Sequence, residues 1–210
     1  MSETIEIVES EKKDVQKIEI DEDTLIEIER MIEQENVEAR TIYLNDAIDI
    51  ETVDKIVPLI HLFNREDESM DVNDRIPIKI YVNTVGGELY SGNAILAAIE
   101  GSKTPVWTYL EGGIGYSYGL VLFQSGHVRH MSRHAFLMYH ELRAASGEQT
   151  LAEMKNTIQQ YDRLQNMMDN YIVSRTAIPM KKLKKQRSKN LDWYIDFETA
   201  KRYQMFDVEI

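Results

Sequence analysis

An α/β fold built on parallel strands is predicted by two consecutive units of one pattern, in which a β-rich apolar run ends at a glycine turn and continues as a helix. Residues 76–82, the turn Asn83-Thr-Val-Gly86-Gly87 and a helix over 94–99 form the first unit. Residues 106–110, a turn over 111–117 and a helix over 118–123 form the second. A third observation is a long amphipathic stretch over 148–173, where Leu151, Met154, Ile158, Tyr161, Leu164, Met168 and Ile172 recur every three or four residues. That stripe is longer than one small sheet can cover, so part of it is expected to meet something beyond the parent fold.

The remaining elements follow in chain order. Residues 1–22 alternate Ile or Val with Glu and Lys, a pattern that fits a strand as well as an arm ordered by a partner. Leu25, Ile28, Met31 and Ile32 then recur at helical spacing behind Asp23-Thr24, predicting a short amphipathic helix to about residue 36. Arg40-Thr-Ile-Tyr-Leu reads as a strand, Val53, Ile56, Val57, Ile60, Leu62 and Phe63 as a helix, and 64–74 as a polar loop. Two more strands are expected over 128–131 and 135–139.

Composition narrows the function. The 210 residues, 43% apolar, suffice for one core with an appendage. With no cysteine, disulfides, thiolate metal sites and a cysteine nucleophile are excluded. The net charge of −12 is concentrated at the start, where residues 1–40 hold 14 acidic and 5 basic side chains. So acidic a chain lacks the basic face that nucleic acid requires, and the lysine-rich run over 181–189 reads as a solvated helix face. No apolar run approaches the roughly 20 residues of a membrane span. Met-Ser-Glu-Thr-Ile-Glu lacks the features of a signal peptide, making the cytoplasm the expected compartment.

Two segments carry chemistry. Gly113-Ile-Gly-Tyr-Ser117-Tyr-Gly119 presents a hydroxyl between small residues that permit a sharp turn, and Phe136-Leu-Met-Tyr-His140 ends an apolar strand on an imidazole. A serine becomes an effective nucleophile when a histidine takes its proton and a carboxylate orients that histidine. In open parallel sheets, reactive groups gather at the carboxyl edge of the strands, so both glycine turns are expected in one crevice. The amides of Gly87 and Tyr118 are the candidate oxyanion donors. His61 lies in a helical stretch; His127, His130 and His134 surround a polar turn without clustered carboxylates, a weak metal pattern, and no metal or cofactor is expected. The residues alone leave Asp192, Asp196 and Asp207 open as the carboxylate.

In this order, these segments resemble the proteolytic subunit of the Clp protease, the ClpP-type serine peptidases. Ile80-Tyr-Val-Asn83-Thr-Val-Gly86-Gly87 is similar to that family's strand and Asn-Ser-Pro-Gly-Gly turn, and the Ser117 segment to its Gly-x-Ala-x-Ser-Met-Gly motif. Met138-Tyr-His140 resembles its Met-Ile-His, and Asp192-Trp-Tyr-Ile-Asp-Phe-Glu-Thr-Ala200 the segment holding its triad aspartate. The likeness spans about residues 40–208, with 1–39 left as an acidic arm carrying a short helix and 40–210 as the peptidase domain.

The resemblance implies a crotonase/ClpP-like α/β fold of repeated ββα-type units with a protruding handle strand and helix. It assigns Ser117 as nucleophile, His140 as base, Asp192 as orienting carboxylate, and Gly87 and Tyr118 as oxyanion donors. It also implies a homo-oligomer of two stacked seven-membered rings around a chamber, interlocked through the 148–173 helix and the loop before it. Unfolded proteins or peptides would be the substrates, with an AAA+ unfoldase delivering them; no phosphate loop is present for ATP hydrolysis by this chain itself. Val85, Tyr116, Tyr118 and Glu141-Leu142 depart from the family pattern, and the two tyrosines are expected to narrow the substrate pocket. A non-catalytic ring subunit and a crotonase-type acyl-CoA enzyme are the alternatives.

Overall fold

The computed structural model describes residues 3–6, 17–143 and 147–210. The chain divides into two compact units, Met1–Ala39 and Arg40–Ile210. In the first, β1 (Glu3–Glu6) pairs antiparallel with β2 (Lys17–Ile20), so the alternating segment forms a hairpin where it is described. Helix α1 spans Glu22–Glu38, longer at both ends than the periodicity predicts. Its cap is Asp21, whose carboxylate accepts the Thr24 amide at 2.8 Å, and Glu22 and Asp23 place negative charge at the positive end of the helix dipole.

The second unit contains two sheets. Strands β3 (Thr41–Leu44), β4 (Ile78–Val82), β5 (Val106–Leu110), β7 (Val128–Met131) and β10 (Val208–Glu209) form a wholly parallel sheet in the order β10-β7-β5-β4-β3. Along β4, Ile78, Ile80 and Val82 are buried while Lys79 and Tyr81 are half-buried, the period-two alternation of a strand with one face on the core. A smaller sheet, β6-β8-β9, joins β6 (Ile114–Tyr116) in parallel with β8 (Phe136–Tyr139) and β8 antiparallel with β9 (Trp193–Ile195).

Helices α2 (Ile50–Glu66), α3 (Leu89–Gly101), α5 (Leu151–Arg175), α6 (Met180–Arg187) and α7 (Phe197–Arg202) surround this frame. Helix α4 (Tyr118–Ser125) is different: all eight of its residues are buried, and it packs against α3, α5 and strands of both sheets. A helix apolar on every side can be accommodated only inside the fold. Its one amide side chain, Gln124, is satisfied by the Met205 carbonyl at 2.9 Å and by Arg129.

Several short elements escape the sequence reading. Residues 111–117, expected as a turn, contain β6, and β9 and β10 were not anticipated; strands of two or three residues carry too little periodicity to be seen. The predicted polar loop over 64–74 begins as the last turn of α2 and contains a 3₁₀ turn, Val72–Asp74, closed by Asp71. Helix α5 starts at a capping box between Thr150 and Glu153. No handle strand is found before it among the described residues of that loop, 140–143 and 147–150.

Arg40 closes the frame by a bidentate pair to Asp67, at 2.6 and 2.7 Å, and Thr104 donates to the same carboxylate at 2.8 Å. Asp67 is 1% exposed, so removing the guanidinium leaves a buried, uncompensated charge. Arg40→Ala is expected to cost about 3–5 kcal/mol, measured by urea unfolding. The hydrogen bonds from Arg40, chiefly, hold the Asp67 carboxyl below the usual carboxylate range despite its burial. Its contribution is therefore full above the unfolded value of about 3.9 and is lost as pH falls from there through the folded value. Stability of Arg40→Ala and of the parent should converge over that acidic interval.

Candidate active site

Ser117 is the residue at which β6 becomes α4, and it adopts φ 55° and ψ −120°. A non-glycine residue is strained there, and such strain persists only where the surroundings over-determine it. Two contacts do so. The Ser117 amide donates to the Met138 carbonyl of β8 at 2.9 Å, and Gly86 packs so closely that a Cβ on it would stand 2.7 Å from Ser117 Cβ and 2.7 Å from the Tyr116 carbonyl oxygen. The two glycine turns thus do share one crevice. Thr84 holds them together: its amide donates to Ile114 at 2.8 Å, its carbonyl accepts from Tyr116 at 3.0 Å, and its hydroxyl accepts from Gly86 at 3.1 Å.

The small sheet brings the other two groups to the serine. β8 pairs with β9 through Leu137 opposite Ile195, Met138 opposite Tyr194 and Tyr139 opposite Trp193. Continued by one residue, the register sets His140 opposite Asp192. In the β6–β8 pairing, Tyr116 lies beside Met138, so Ser117 falls one step short of His140. Of the three aspartates left open by the sequence, Asp196 caps α7 through Thr199 at 2.8 Å and Asp207 is engaged by Arg129 at 2.7 Å. Asp192 is the one that directly precedes β9, at the position the continued register sets across from His140.

The side chains are not joined in a relay. His140 Nδ1 stands 2.5 Å from the Glu141 carbonyl oxygen, which can only accept, so in this contact Nδ1 is the donor, and Nε2 has no hydrogen bond among the described residues. Asp192 Oδ1 accepts from Arg143 Nη2 at 2.5 Å. Among the described residues no hydrogen bond links Ser117, His140 and Asp192 directly. The amides of Gly87 and Tyr118 donate to no described residue; Tyr118 directly follows the serine, and Gly87 follows Gly86, which packs on the serine turn.

Tyr118 itself does not narrow the crevice. Its ring is 1% exposed and lies against Gly92 of α3, where any Cβ would collide with it, and its hydroxyl donates to Asn93. Burial pushes its phenol well above the ordinary range. Tyr116 remains half-buried and meets Tyr194 edge-on at 5.7 Å, so it alone of the pair borders the crevice. Two of the four histidines away from the site have structural partners: His127 Nδ1 accepts from the Val106 amide at 2.9 Å, and His130 stacks on Tyr109 at 4.2 Å. No group of residues able to hold a metal ion is found among the described residues, nor any helix long and apolar enough to cross a membrane.

Sequence reasoning missed the polar support beneath His140. Buried Asp169 accepts from the Tyr139 hydroxyl at 2.7 Å and from Gln165 at 2.9 Å, and Gln165 accepts the Leu142 amide at 2.6 Å. Helix α5 therefore holds the chain on both sides of the imidazole. The available signal was two polar residues, four apart, inside the apolar stripe of Leu164, Met168 and Ile172.

These features coincide with comparisons to known proteins. The Clp protease family model matches residues 14–208, and the chain belongs to that family. It is 27% identical over 170 residues to the ATP-dependent Clp protease proteolytic subunit 2 of Corynebacterium efficiens, covering 80% of each chain. It is 25% identical over 171 residues to the protein of the same name from Bacillus licheniformis, covering 80% of this chain and 84% of that one.

The packing at Gly86 makes a prediction. Its φ of 91° and the close approach to Ser117 mean that Gly86→Ala strains the backbone and displaces the serine turn together. A loss of about 1–3 kcal/mol in urea unfolding is expected, with far-ultraviolet circular dichroism unchanged.

Proposed function

We propose that the chain is a self-compartmentalised serine endopeptidase that cleaves unfolded polypeptides or peptides through an acyl-enzyme. The observation that carries this reading is the convergence of Ser117, His140 and Asp192 at adjacent strand ends of one small sheet, with the serine strained at the head of a buried helix. In this scheme Ser117 Oγ attacks the peptide carbonyl while His140 Nε2 takes its proton. The resulting oxyanion accepts from the Gly87 and Tyr118 amides, which have no other partner among the described residues. His140 then returns the proton to the leaving amine, and water enters by the same route in reverse to release the acid. Asp192 steadies the imidazole, so residues 40–210 hold the whole peptidase.

Assembly and a partner belong to the same proposal. The first half of α5 exposes Leu151, Met154 and Ile158, while Leu164, Met168 and Ile172 in its second half are buried. An apolar stripe left in water at one end of a well-packed helix supports contact between copies, as in stacked rings. The relatives' names contain "ATP-dependent", which supports an ATP-driven unfoldase as the source of substrate.

A fluorophosphonate tests the reaction. It should label Ser117 in the intact chain, and Ser117→Ala should abolish both labelling and peptide hydrolysis. His140→Ala should lower labelling by at least 10³-fold, the order seen when a triad member is lost. Native mass spectrometry of the same sample should show a ring-sized particle. A second reading, a non-catalytic ring subunit, draws on the engagement of Asp192 by Arg143, and an unlabelled serine in an assembled particle would establish it.

A further inference from the structure

We propose that Arg143 sequesters Asp192 from His140, so that the nucleophilic relay is completed only when the Arg143–Asp192 pair opens. The inference rests on the triad reading above. Its first ground is the disposition of three side chains: Arg143 Nη2 donates to Asp192 Oδ1 at 2.5 Å, while His140 Nδ1, the atom that an orienting carboxylate must receive, faces the Glu141 carbonyl. The last ladder pair is Tyr139 with Trp193, so His140 and Asp192 each lie one residue beyond it and the proposal needs no change in strand register. Completion requires the imidazole Nδ1–H to exchange one acceptor for another and the carboxylate to exchange one donor for another.

The second ground is the way Arg143 is held. Leu142 immediately before it is anchored by its amide to Gln165, and Gln165 donates to Asp169, which is 0% exposed. Asp169 also accepts from Tyr139 and lies 3.5 Å from Arg187. Arg143 is therefore delivered to Asp192 by a buried hydrogen-bond network on α5. A displacement of the Leu142 anchor moves the guanidinium away from the carboxylate while the β8–β9 pairs keep their register.

The third ground is that the pair is weak enough to open. The Arg143 side chain is 70% exposed and Asp192 27% exposed, and an ion pair so placed contributes little and is screened by salt. A device of this strength biases the site without locking it.

The experiment compares fluorophosphonate labelling rates of the full-length parent, Arg143→Ala, Arg143→Lys and Asp192→Asn at low and high salt. Arg143→Ala should label faster than the parent by about 3- to 5-fold at low ionic strength, the range set by a pair of up to about 1 kcal/mol. Added salt should accelerate the parent and leave Arg143→Ala unchanged, closing the gap. Arg143→Lys, which keeps the charge but not the planar fork, should fall between them. Proton NMR of Arg143→Ala should gain the far-downfield imidazole N–H signal of a histidine bonded to a carboxylate, weak or absent in the parent. Labelling by Arg143→Ala that is equal to or slower than the parent at low salt overturns the proposal, the slower result meaning that the arginine orients the carboxylate productively. Failure of the triad reading is separate: Asp192→Asn would label at the parental rate, or Ser117→Ala would still be labelled.

Discussion

The structure depends on the strained backbone of Ser117 being enclosed rather than relaxed. A positive φ on a side chain larger than glycine is unfavourable by itself, and it survives because the Met138 carbonyl, the close face of Gly86 and the wholly buried α4 leave the chain no other path. Those three constraints come from three different parts of the fold. Gly86 lies in the turn of the first strand-turn-helix unit, Met138 lies on β8, and α4 packs against strands of both sheets. The hydroxyl is presented where these parts meet, so the core must be assembled before the serine has a defined position.

The same logic extends to His140. Its neighbours on both sides are held by buried side chains of α5, with Tyr139 and Gln165 converging on Asp169. Asp169 is wholly buried, its Oδ1 accepting from Tyr139 and Gln165 and its Oδ2 lying 3.5 Å from Arg187 without a hydrogen bond, so a shift of α5 disturbs this network. One end of α5 thus reaches the candidate base, while the other exposes an apolar stripe. A single rigid helix connects the surface suited to assembly with the segment that carries the imidazole, giving a physical route by which oligomeric state and activity can be coupled.

Electrostatics decides the rest. Three aspartates lie in the last twenty residues, and their partners separate them: a helix cap for Asp196, the arginine Arg129 for Asp207, and the exposed arginine Arg143 for Asp192. Only the last has a partner that solvent can readily replace. A carboxylate free to change partners is suited to a functional exchange, whereas one satisfied by a cap or a buried bidentate arginine is committed to structure.

What the sequence determined by itself was local. The glycine turns, the strands over 76–82 and 106–110, the first observed from Ile78, the long stripe of α5, and the serine and histidine at the ends of apolar runs were legible because periodicity and glycine chemistry act over a few residues. Strands β6, β9 and β10 were not, since two or three residues acquire strand geometry only from a neighbour that pairs with them. Tyr118 looked like a wall of the pocket from its position beside Ser117, but α4 points it inward against Gly92. Which of the three aspartates lies in line with the strand that ends at His140, and that an arginine already holds it, were decided by tertiary structure alone, because register between distant strands and the reach of a guanidinium across 49 residues of chain leave no trace in local pattern.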